Sequence, residues 1–142
     1  MNEDNKKKIA LGFILGFAVI FTIIIGVKYL MKPSIDNDLI SMSHEVNRKC
    51  PIFVDKETRL DNANVLPNKV FQYNYTLVNL VKEQVDVDEA QKVIAPNLIN
   101  SVKTSPDMKK FRDNNVKLIY AYRDKNGKSL FKIFITPEMY ND

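Results

Sequence analysis

The stretch Phe71–Leu80, FQYNYTLVNL, decides how this chain is read. In an extended backbone successive side chains point to opposite faces. Phe71, Tyr73, Tyr75 and Leu77 therefore share one side, and Gln72, Asn74 and Thr76 the other. An aromatic row of this kind is either a platform for a ligand or the covered face of a small sheet. Aromatic side chains pack well on a half-buried pleated surface, so the pattern predicts a strand with its aromatic side against a core.

Moving upstream, LPNK at 66–69 reads as a turn, because Pro67 and Asn68 suit turn positions. IFVDKETRLDNANV before it reads as a second extended segment, broken by many polar residues. Earlier still, Ile35, Leu39, Met42 and Val46 recur at steps of four, three and four, the spacing of one helical face. Ser34 or Asp36 can cap this helix. It is expected to run to about Lys49, because the residue before Pro51 is pushed out of the helical region.

Downstream, VDVDEAQKVIAPNLINSV switches to helical spacing. Asp86 caps it with Glu89 three residues on, and Val87, Ala90, Val93, Ile94, Leu98 and Val102 form one stripe. Pro96 is expected to kink or break this helix. Ser105-Pro106 looks like another helix start, with Met108 and Phe111 as its buried residues. In VKLIYAYRDKNGKSLFKIFIT, Asn126-Gly127 predicts a type I′ hairpin that pairs Tyr120 with Ile133 and Tyr122 with Phe131. The order helix, two strands, helices, two strands predicts an α+β fold: a small two-layer domain with an antiparallel sheet covered by helices.

The N-terminal part has a different character. Ile9–Val27, IALGFILGFAVIFTIIIGV, is 19 residues without a charge, enough to cross about 30 Å of hydrocarbon as a helix. It is longer than a signal-peptide core, and KYLMKPS after it offers no small-x-small cleavage site. The sequence thus predicts a signal anchor: a cytoplasmic tail at 1–8, a single transmembrane helix at 9–31, a juxtamembrane linker and amphipathic helix at 32–49, and an extracytoplasmic domain at 50–142. Lys6, Lys7 and Lys8 precede the apolar run while Lys28 and Lys32 follow it, which favours an inner-membrane, N-terminus-inside orientation. Gly12 and Gly16 make a G-x-x-x-G that could pack two such helices into a homodimer. The partners expected from this are the lipid bilayer and a protein of the envelope.

Charge and chemistry exclude more than they assign. Residues 1–32 carry five lysines and two acids, while residues 33–142 carry 16 basic and 15 acidic side chains. The overall charge of +4 is therefore concentrated near the N-terminus, and a phosphate-tracking nucleic-acid surface is not expected. His44 and Cys50 lie six residues apart across a helix end, a poor spacing for a nucleophile–base pair. DVDE at 86–89 lacks the glycine and distant glutamate of a calcium loop. Lys103, Lys109, Lys110, Arg112 and Lys117 form a locally basic segment that reads as a solvated helix face. The domain's only glycine, Gly127, belongs to the predicted hairpin. No catalytic residue, cofactor or metal ligand is assigned.

The run CPIFVDKETRLDNANVLPNKVFQYNYTLVN, Cys50–Asn79, resembles a segment of small uncharacterised bacterial proteins that often carry a signal or membrane anchor. The shared elements fall on Cys50-Pro51, Val54-Asp55, Thr58 to Asp61, Pro67 and Tyr73 to Leu77. The resemblance implies a bacterial source and an anchored extracytoplasmic domain, and supplies no catalytic residues. The functional expectation is a membrane-tethered, non-enzymatic binding or accessory module of the cell envelope. The alternative is an immunity-type inhibitor of a toxin or hydrolase.

Overall fold

The computed structural model describes residues 35–141. Helix α1, Ile35–Lys49, leads into a short strand β1, Ile52–Phe53, then β2, Thr58–Leu66, and β3, Val70–Leu77. A 3-10 turn at Lys82–Gln84 precedes the long helix α2, Val87–Thr104. A second 3-10 turn, Pro106–Met108, and helix α3, Lys109–Asp113, lead to strands β4, Lys117–Arg123, and β5, Ser129–Ile135. The short helix α4, Pro137–Tyr140, closes the fold.

The five strands form one sheet in sequence order. It is mixed: β3 and β4 are parallel, and every other pair is antiparallel. This corrects the expected antiparallel four-stranded sheet. The reason is the connection. α2 has 18 residues, about 27 Å of helix, which matches the length of β3 and carries the chain back to the end where β3 began. Lys117 N accordingly donates to Lys69 O at 2.9 Å, beside the β2–β3 turn, while Lys125 N meets Leu80 O at 3.0 Å at the far end.

A second correction concerns the single-pass architecture. Among the described residues no helix is long and apolar enough to cross a membrane. The span expected at 9–31, with Gly12 and Gly16, lies outside the described residues.

The core lies on one face of the sheet. Phe71, Leu77, Leu118, Tyr120, Tyr122, Phe131, Ile133 and Ile135 from the strands meet Leu39 of α1, Val102 of α2, Phe111 of α3 and Tyr140 of α4. In parallel register Phe71 sits beside Leu118, Tyr73 beside Tyr120 and Tyr75 beside Tyr122. The antiparallel β4–β5 register pairs Tyr120 with Ile133 and Tyr122 with Phe131, as expected. The aromatic row of β3 is thus an inner face.

Polar contacts fix the helices onto this face. Asn47 of α1 brackets the backbone of Ala63 in β2, donating to its carbonyl at 2.9 Å and accepting from its amide at 2.7 Å. The Tyr140 hydroxyl donates to Val116 O at 2.7 Å and ties the C-terminal helix to the start of β4.

Local chemistry departs from expectation at four places. IFVDKETRLDNANV is two strands, because Asp55 Oδ1 accepts from the amides of Glu57 and Thr58 at 2.7 and 2.8 Å and folds the intervening backbone. α2 is continuous through Pro96, which is exposed, so the carbonyl that loses its donor lies on the solvent side. Val93 of the predicted stripe is 56% exposed, and Ile99 packs on the core instead. At Asn126-Gly127 only Gly127 has positive φ, at 81°, so the turn is not type I′. The buried carboxylate of Asp124 organises it, accepting from the amides of Asn126 and Lys128 at 2.9 and 2.8 Å and from Lys82 at 3.0 Å.

The packing sets a clear stability contrast. Phe71→Ala, at a fully buried ring, should cost about 3–5 kcal/mol. Phe134→Ala, on the outer face and 57% exposed, should cost less than about 1 kcal/mol. Urea midpoints of the two variants check the assignment of faces.

Candidate functional site: a groove over a tyrosine ladder

α1 covers β2, and the segment Pro106–Asp113 stands alongside it. Between them lies a groove of about 450 Å³, a volume typical of ligand clefts. Met42 and Val46 of α1 form one wall and Met108 and Phe111 the other. Leu60, Phe71 and Tyr73 form the floor. Glu45, Lys49 and Asp107 add charged groups to an otherwise apolar lining. Methionine adapts to varied shapes, so the two facing methionines suit an occupant that is apolar and not rigidly defined.

The floor continues into a ladder of stacked rings. Tyr73 stacks on Tyr120 with centroids 5.4 Å apart, Tyr75 on Tyr122 at 5.1 Å, and Tyr122 on Phe131 at 4.8 Å. Phe111 meets Phe71 edge-on at 5.0 Å. The four tyrosine hydroxyls form no hydrogen bond among the described residues. No side-chain polar atom there is both buried and unpartnered, so these hydroxyls reach solvent. The ladder presents buried ring faces whose hydroxyls are unbonded and keep only slight access to solvent. Burial pushes the phenols of Tyr73 and Tyr122 up to about 12, helped at Tyr122 by the Asp55 charge. Tyr75 and Tyr120 are pushed up as well, first by burial and then by neighbouring tyrosines.

The residues singled out in the sequence do not assemble around this groove as a reactive set. His44 is exposed on α1, and Cys50 follows the helix half-buried. Burial, then the Asp61 charge, push the Cys50 thiol up, away from the thiolate that nucleophilic chemistry needs. Asp86 caps α2, accepting from Glu89 N at 3.0 Å, and this accounts for DVDE. Arg112 Nη1 donates to the carbonyls of Val102 and Ser105 at 2.6 and 2.8 Å, closing the end of α2. Lys109 pairs with Asp113, and Lys110 reaches Asp38 of α1 at 3.3 Å. The described residues contain no group of acids, histidines or cysteines able to hold a metal.

Asp61, the carboxylate of TRLD, lies elsewhere. It is the extra residue of a β-bulge between Leu60 and Asn62, and the bulge aims it at the face opposite the core. There it accepts from Arg59 Nε at 2.7 Å, Thr76 Oγ1 at 2.6 Å and Arg123 Nη2 at 3.0 Å. Burial alone would raise this carboxyl, but the bonds from Thr76, Arg59 and Arg123 outweigh it and hold it below the usual carboxylate range. The helical spacing marks Met42 and Met108 only as buried core positions, whereas they face each other across an opening. The pairing of two helical segments that creates the opening leaves no local signal.

The fold and groove define a two-layer α+β module with a mixed five-stranded sheet and a cleft on its helical side. The chain belongs to the family described as "Domain of unknown function (DUF8479)", which matches residues 34–131. No curated protein sequence matches it. Among solved structures it is similar to a candidate secreted protein from Pseudomonas aeruginosa, with a TM-score of 0.63 at 10% identity, over 73% of this chain and 90% of that one. It is also similar to the pilotin EpsS of the Vibrio vulnificus type 2 secretion system, with a TM-score of 0.58 at 8% identity, over 73% and 89% of the two chains. The type II secretion pilotin AspS of Vibrio cholerae matches with a TM-score of 0.52 at 10% identity, over 70% and 85%. At these identities the likeness is one of fold.

The ladder makes an alkaline prediction. A phenol kept neutral to about 12 in the folded chain, against about 10 when unfolded, contributes stability that is complete below pH about 10. That contribution is lost as the pH rises toward about 12. Thermal melts across this window should show a fall in Tm that is smaller in Tyr73→Phe, while Tyr73→Phe at neutral pH stays near wild-type stability.

Proposed function

We propose that this chain is a non-enzymatic accessory protein of the bacterial cell envelope that works outside the cytoplasm and holds a protein partner in the groove between α1 and α3. The observation that carries this is the groove itself: an apolar cleft with methionines facing across it, floored by rings that continue into a ladder of stacked tyrosines whose hydroxyls have no partner among the described residues. Tyrosine with this mixture of apolar body and polar tip is favoured where proteins meet proteins. Two of the similar structures are pilotins, each named for a type II secretion system, and a third is a candidate secreted protein. Their shared fold supports an envelope setting and a role in partner binding.

Binding is also the better account of the titratable groups. The thiol of Cys50 is pushed toward its protonated form, and the Asp61 carboxylate is committed to two arginines. Neither is poised to exchange protons near neutrality. We take the Cys50–Asn79 pattern, which builds β1 to β3 and the floor of the groove, as the sequence signature of this family.

A photo-crosslinking residue placed at Met42 or at Met108 in the cell should give the same discrete protein adduct. Adding Val46→Glu, which puts a charge on the groove wall, should abolish it. The same probe at exposed Lys92 on α2 should give none. No adduct at either methionine, or an identical pattern from all three positions, would refute the groove as the binding site.

A further inference from the structure

The face of the sheet opposite the core is as organised as the groove, and nothing in the groove accounts for it. The described helices pack against the core side. On the outer side, the strand partners Phe53, Arg59, Thr76 and Arg123 lie in one row. Asn62, Asn74, Ala121 and Lys132 form the next row, and Asn64, Gln72, Ile119 and Phe134 the one after. Lys117 follows, in register with Val70.

Charge is segregated onto this surface. Its strands carry four basic side chains, Arg59, Lys117, Arg123 and Lys132, against one acid, Asp61, a net of +3. Residues 35–142 as a whole have 16 basic and 15 acidic side chains, a net of +1. The rest of the domain therefore holds −2. Like charges gathered on one face repel one another, so the arrangement costs stability unless something offsets it.

The two arginines are held ready. Arg59 spends only Nε on Asp61, and Arg123 spends Nε on Thr76 at 2.9 Å and Nη2 on Asp61. The remaining guanidinium N–H groups have no partner among the described residues. Asp61 is 9% exposed in its side chain while Arg59 and Arg123 are 34% and 47% exposed, so the acid is the buried anchor and the arginines stand outward. A guanidinium fork oriented in this way matches a carboxylate. Thr76 is buried beneath it, and a relay from Gln72 Nε2 to Asn74 Oδ1 and from Asn74 Nδ2 to Asn62 Oδ1, each at 2.7 Å, ties the neighbouring amides together, so the charged forks are the strongest recognition elements on this face. Two apolar rings flank the patch: Phe53 on β1 is 60% exposed and Phe134 on edge strand β5 is 57% exposed.

We propose that this outer sheet face docks an acidic segment of a protein, with its carboxylates on Arg59 and Arg123 and its apolar side chains on Phe53 and Phe134. The charge complementarity selects this occupant. The chain would then have two opposed binding surfaces, an apolar groove and a basic sheet face.

The test uses the full-length chain and a fluorescent Asp/Glu-rich peptide, its Asn/Gln counterpart, and vesicles containing phosphatidylglycerol. Fluorescence anisotropy at low salt should show the acidic peptide binding, weakened by added salt, with the neutral peptide unbound. Arg59→Gln/Arg123→Gln should weaken binding by about tenfold or more, the loss expected for charge-assisted bonds. Because that pair of changes removes the partners of Asp61, Lys117→Gln/Lys132→Gln provides a second arm away from it and should weaken binding by about threefold or more. Lys92→Gln on α2 should leave affinity unchanged. Equal binding of the neutral peptide, no binding of the acidic one, or indifference to both double variants would overturn the proposal. Recruitment to the vesicles through these same four side chains, without peptide binding, would overturn it in favour of a lipid surface.

Discussion

The parallel pairing of β3 with β4 is the constraint from which the rest of the structure follows. In parallel strands residues with ascending numbers stay side by side, so Tyr73 meets Tyr120 and Tyr75 meets Tyr122 on the inner face. Aromatic pairs of this geometry contribute about 0.5–1.5 kcal/mol each beyond the area they bury. On the outer face the same register sets Thr76 beside Arg123, and that adjacency lets one guanidinium reach both Thr76 and Asp61. An antiparallel arrangement about the same Tyr73–Tyr120 pair would set Tyr75 against Leu118 and take Thr76 away from Arg123.

The two faces divide the chemistry between them. The inner face is apolar, and its tyrosines stack as buried rings that carry unbonded hydroxyls. Helix α1 is locked onto β2 through Asn47, whereas the wall built by Pro106–Asp113 stands on Phe111 and on the Arg112 closure of α2. The groove lies between these two supports, which share one core through Leu39 and Phe111. Among the described residues an ion pair also links them, Lys110 with Asp38, whose side chains are 48% and 43% exposed. A surface pair of this kind contributes little stability and does not prevent the walls from adjusting to an occupant.

Much of the fold is legible in the sequence because it depends on local periodicity. The alternation at 71–77, the helical spacing at 35–46, the Asp86 cap and the β4–β5 partners all follow from nearby residues. The features that escape are non-local or are decided by one residue. Whether β3 and β4 run parallel depends on the length of α2, which spans the sheet end to end. The bulge at Asp61 is invisible in TRLD, since an extra residue in a strand looks like any other. Asn126-Gly127 carries a strong turn signature, but the carboxylate of Asp124 at the preceding corner imposes a different geometry. The candidate site was seen only as separate apolar residues: Met42 and Met108 are 66 positions apart, and only the packed helices bring them to one opening.

The strand register is therefore the quantity to measure. In a nuclear Overhauser spectrum of the isotope-labelled protein, parallel pairing predicts backbone contacts linking Phe71 to Leu118, Tyr73 to Tyr120 and Tyr75 to Tyr122, in ascending order along both strands. Contacts in descending order, with Phe71 near Tyr122 and Tyr75 near Leu118, would contradict it.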